Sequence, residues 1–132
     1  MKVILTEGQY NKMVNDLILF QTLEHAITQF KRWHHYTQGY AEHMALGDFY
    51  EKLGEFQDEI MEVFIGINGR NVNTDFGMKF NKYSKGIATQ YLTAFVNKMY
   101  QMKEQIPQGD LQNLIDEIAA LANKTKYLLT LS

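Results

Sequence analysis

Three of the four histidines in this chain, His34, His35 and His43, fall within one short stretch. Further on stand Asp58 and Glu62, at the i and i+4 spacing that puts two side chains on one face of a helix. Imidazole nitrogens and carboxylate oxygens together suit a borderline ion such as iron, zinc or manganese. His34, His43, Asp58 and Glu62 are therefore the candidate metal ligands. The competing reading of the same residues is plainer. His34 sits on the flank of an apolar stripe, where a hydrogen-bonded core-edge histidine is common. Glu51, Lys52, Glu55 and Glu59 make the surroundings of the carboxylate pair polar, as on any solvated face. His25 and His35 carry no independent signal.

Other chemistries fall away on composition. The chain has 132 residues and no Cys, which excludes a disulfide scaffold, a thiolate metal site and thiol catalysis. Its 13 basic and 15 acidic side chains leave a formal charge of −2, and the basic ones form no patch. Nucleic-acid binding is not expected from such a balance. Gly66 to Arg70 is too short for a phosphate loop, and no strand precedes it. The apolar run Val3-Ile4-Leu5 is too short for a signal peptide or a membrane span. The expectation is a soluble protein of a reducing interior with no membrane partner. Eight Tyr, eight Phe and seven Met exceed what one small core needs, and such residues are enriched at interfaces.

The elements that must position the candidate ligands are helices. A first helix, with Thr6 as N-cap, carries the stripe Leu19, Leu23, Ala26, Phe30 and Trp33 and should stop at Gly39 after Thr37. A second spans about Glu42 to Ile65, with Leu46, Phe49, Leu53, Phe56, Ile60, Val63 and Phe64 inward. A Gly- and Asn-rich connection of about ten residues, from Asn68 to Gly77, separates the halves. A third helix is expected over Met78 to Gln105, with Phe80, Ile87, Tyr91, Ala94, Phe95 and Met102 on one side and a weak point near Ser84 and Gly86. Pro107 and Gly109 mark the last turn, and Asp110 is the expected N-cap of a fourth helix with a heptad-like stripe from Leu111 to Leu129.

Residues 1–132 thus read as one all-α domain: a ferritin-like four-helix bundle with a longer connection between helices two and three, up-down-up-down being the rival plan. Helical phase then bears on the metal site. With Leu46 at the origin and about 100° per residue, the inward stripe of helix two centres near 310°. Asp58 falls at about 120° and Glu62 at about 160°, on the opposite face. They are either solvated or face a second subunit.

The stretch His34-His35-Tyr36-Thr37-Gln38-Gly39-Tyr40-Ala41-Glu42-His43, followed by Phe49-Tyr50-Glu51 and Asp58-Glu59-Ile60-Met61-Glu62, resembles small phage-encoded ferritin-like proteins. These are distantly related to the Dps miniferritins. The resemblance covers Gln29 to Arg70. It implies an iron-oxidising site between two subunits of a homo-oligomer, with iron held by His34 and His43 of one copy and Asp58 and Glu62 of the other. Where the family pattern has an acidic residue four positions after the second histidine, this chain has Gly47, with Asp48 next to it. The Lys-rich tail of DNA-binding Dps proteins is absent. The alternative is a non-catalytic helical structural protein of a phage virion, packed against portal, capsid or tail proteins. The location implied is the host-cell cytoplasm in the first case and the virion in the second.

Overall fold

The computed structural model describes residues 7–70 and 75–131, with side chains from residue 17 onward. Among the described residues there are four helices: α1 (Glu7–Tyr36), α2 (Tyr40–Asn68), α3 (Lys85–Gln105) and α4 (Gly109–Leu129). The expected N-cap Thr6 lies outside the described residues. The apolar stripes of α1 and α4 are buried as their spacing dictates, Leu19 to Trp33 in one and Leu111 to Leu129 in the other. At the centre the Phe30 ring lies 4.4 Å from Phe49 and meets the edge of Trp33 at 5.0 Å. Such aromatic contacts fix the facing angle of α1 and α2 beyond what burial alone would.

Short turns at residues 37–39 and 106–108 make α1/α2 and α3/α4 antiparallel hairpins. Across the hairpins α1 packs on α3 and α2 on α4. The chain reaches the start of α3 beside the end of α1, so every packed pair is antiparallel. This is the ferritin-like plan: an all-α four-helix bundle with the longer connection between α2 and α3.

Three helices depart from the sequence expectation in their boundaries. Helix α2 is longer at both ends, beginning at Tyr40 and closing at Gly69, whose positive φ of 78° suits glycine and whose N–H bonds Ile65 O. Helix α4 is capped at Gln108 rather than Asp110, and the Asp110 carboxylate accepts from Leu111 N–H. The largest departure is α3, which starts at Lys85 and not Met78. Ser84 is its N-cap and accepts from Ile87 N–H at 3.1 Å.

The residues before Ser84 form an extended strap along α1 because tertiary partners outbid helical ones. Asn81 N–H donates to Gln29 Oε1 at 2.8 Å, and Asn81 O accepts from Trp33 Nε1 at 2.8 Å and from Gln29 Nε2 at 3.2 Å. A fully buried Gln29 thus completes its hydrogen bonds on the strap backbone. The later start also corrects the inward face of α3, which is Ala88, Leu92, Phe95, Val96, Met99 and Met102, while Ile87 and Ala94 are exposed. Among the described residues no helix is long and apolar enough to cross a membrane.

Candidate metal centre

His34 lies in the last turn of α1 and His43 in the first turn of α2, so the three-residue turn folds them together. Their rings stack with centroids 3.7 Å apart and planes inclined by 20°. His34 Nδ1 is 2.7 Å from His43 O, and His43 Nδ1 is 2.8 Å from His34 O. A carbonyl oxygen only accepts, so both Nδ1 atoms carry the proton and donate. The bonds are reciprocal across the hairpin. The tautomer that these bonds select has Nε2 as the lone-pair nitrogen of each ring.

Gly47 explains how the rings fit. A Cβ at this position would lie 2.7 Å from Cε1 and Nδ1 of His34. The edge of Tyr50 closes another side of the His34 ring at 5.4 Å. The imidazole occupies the space that a side chain at position 47 would need.

Asp58 and Glu62 stand on the exposed side of α2, as the helical phase requires. Fifteen positions separate Asp58 from His43, a rise of about 22 Å along the helix. Within one chain the carboxylates and the histidines are thus far apart. Among the described residues, no group of three or more His, Cys, Asp or Glu side chains could hold a metal ion. One copy presents two imidazoles in one place and two carboxylates in another.

Two further centres were not anticipated from the sequence. His25 Nε2–H donates to Lys79 O at 2.6 Å, and His25 Nδ1 accepts from the Tyr91 hydroxyl at 2.7 Å. The ring stacks on Phe80 and on Tyr91. Burial pushes the Tyr91 hydroxyl well above its ordinary pKa, so it stays a proton donor. His25 thereby pins the strap to both α1 and α3. The usable signal was the series His25, Gln29, Arg32, Trp33, whose spacing lines one face of α1. The second centre is Glu42, which accepts from Thr37 Oγ1 at 3.1 Å and from the Tyr83 hydroxyl. Desolvation, then the neighbouring Glu42 carboxylate, raises the Tyr83 pKa.

The model of a family of unknown function, DUF5856, matches residues 34–129, from the first histidine of the stacked pair to the end of α4. Neither curated proteins nor solved structures gave a match.

Proposed function

We propose that this chain, which belongs to the DUF5856 family, is a ferritin-like subunit that binds a divalent transition metal between two copies of itself. The observation that carries this reading is the pair of Nδ1–carbonyl bonds at His34 and His43. Metal-binding histidines characteristically place one ring N–H on a carbonyl or carboxylate, which fixes the tautomer and leaves the other nitrogen as ligand. His34 and His43 supply two such nitrogens from one copy. Asp58 and Glu62 of a second copy supply the carboxylates that the first cannot bring to the same place. In this role Gly47 gives the His34 ring its room, and Tyr50 shields one side of it. The substrate is Fe(II), which gives one electron to peroxide or dioxygen and leaves as Fe(III).

Native mass measurement with Zn(II), a redox-inert probe, and with Fe(II) tests the reading. The expected result is a multimer that gains metal, with the gain lost in Asp58→Ala. A chain that takes up neither ion at saturation contradicts it.

A second reading rests on a different observation. Tyr36 and Tyr40 are 81% and 78% exposed, and Met44 is 53% exposed, all near the α1–α2 turn. Side chains of this kind suit a contact with another protein. In that case the chain is a non-catalytic structural component of a phage virion, and the stacked histidines only fasten the hairpin. This reading expects a protein that ignores iron and binds a portal, capsid or tail protein.

A further inference from the structure

A cleft of about 790 Å³ opens where α1 ends, α2 begins and the strap turns into α3. Its wall carries two cations, Arg32 and Lys82, and the aromatic side chains of Trp33, Tyr36, Phe80 and Tyr83. The Arg32 guanidinium carbon stands 4.2 Å from the centre of the Phe80 ring. The His25 ring stacks on Phe80 with centroids 5.0 Å apart. The cation is thus positioned before any ligand arrives, and a stacked guanidinium keeps its in-plane N–H fork for an oxyanion.

Charge in the cleft is only partly cancelled. The ion pairs found among the described residues, Lys52–Asp48 and Lys103–Asp116, involve neither Arg32 nor Lys82. The one acidic side chain in the wall, Glu42, is occupied by Thr37 and Tyr83. It also lies in the first turn of α2, where the helix dipole offsets a negative charge. Two cations against one carboxylate leave an excess of positive charge, and four aromatic side chains line the same wall.

We propose that this cleft binds an organic phosphate monoester bearing an aromatic ring, of the size of a nucleoside monophosphate. Arg32 grips the phosphate with its N–H fork, Lys82 adds the second positive charge, and the ring lies against the exposed Tyr36 and the Tyr83 wall. The cleft volume lies within the range of small-molecule sites and exceeds what a bare anion needs. This site is independent of the stacked histidines and of any metal.

Calorimetric titration of the full chain without metal, using adenosine 5′-monophosphate, adenosine and inorganic phosphate as probes, tests the proposal. The monophosphate should bind, with adenosine and inorganic phosphate each weaker by about tenfold or more. Arg32→Ala should weaken the monophosphate by about tenfold or more, and Lys82→Gln should weaken it less and lower its salt dependence. Arg32→Lys keeps the charge and the packing over Phe80 while removing the fork, so it should lose affinity with an unchanged circular dichroism spectrum. Three results overturn the proposal: no binding of the monophosphate, inorganic phosphate binding as tightly as the monophosphate, or undiminished binding in a folded Arg32 variant.

Discussion

The stacked imidazoles of His34 and His43 are held by chemistry that the backbone supplies and by space that a glycine leaves. Each ring donates to the other residue's carbonyl, so the pair fastens the last turn of α1 to the first turn of α2. Gly47→Ala puts a methyl group 2.7 Å from the His34 ring. Overpacking of this kind should destabilise the fold by about 1–3 kcal/mol, read as a lower denaturant midpoint. In a His34→Ala background the same change should cost much less, because the ring it strikes is gone. An undiminished cost in that background would show that position 47 matters for some other reason. The histidines were legible in the sequence because they are close together around a predicted turn. Gly47 was not, since a missing ligand and a steric requirement look alike until the ring has a direction.

At the scale of elements, the α1, α2 and α4 stripes were readable because every third or fourth residue is large and apolar. The strap was not. Phe80 stands seven residues before Ile87 and so extends the α3 stripe at a helical spacing, and the reason its segment forms no helix lies on α1, in Gln29 and Trp33. Local pattern cannot report a partner fifty positions away. Gln29→Ala removes the acceptor of Asn81 N–H and should cost about 1–3 kcal/mol by denaturant midpoint. The Asn81 amide should also exchange faster with deuterium. Because the backbone of Asn81 makes these bonds, Asn81→Ala should cost far less than Gln29→Ala. Equal costs would mean that the strap is held by something other than this ladder.

For the whole molecule, charge is unevenly placed. Helix α2 carries Glu42, Asp48, Glu51, Glu55, Asp58, Glu59 and Glu62 against the single Lys52, although the chain as a whole is only at −2. A like face cannot pack on that acidic surface without repulsion, whereas the cationic metal of the proposed site would be attracted to it. In the proposed site one chain would hold both half-sites and complete neither, since His34 and His43 flank the α1–α2 turn and Asp58 and Glu62 stand farther along the outer face of α2. The near-neutral, Tyr-, Phe- and Met-rich composition gave no hint of this division. It became visible only with the helical phase and the turn in place.

The claim that two copies build the site is tested most directly by mixing two variants. His34→Ala/His43→Ala keeps only the carboxylate half-site, and Asp58→Ala/Glu62→Ala keeps only the histidine half-site. In a two-fold pair formed from one of each, one interface site loses all four groups and the other keeps all four. Zn(II) uptake should be absent from either variant alone and restored in the mixture, at about one ion per mixed pair, a single intact site. A mixture that assembles but takes up no Zn(II), while the unaltered chain does, would contradict the account.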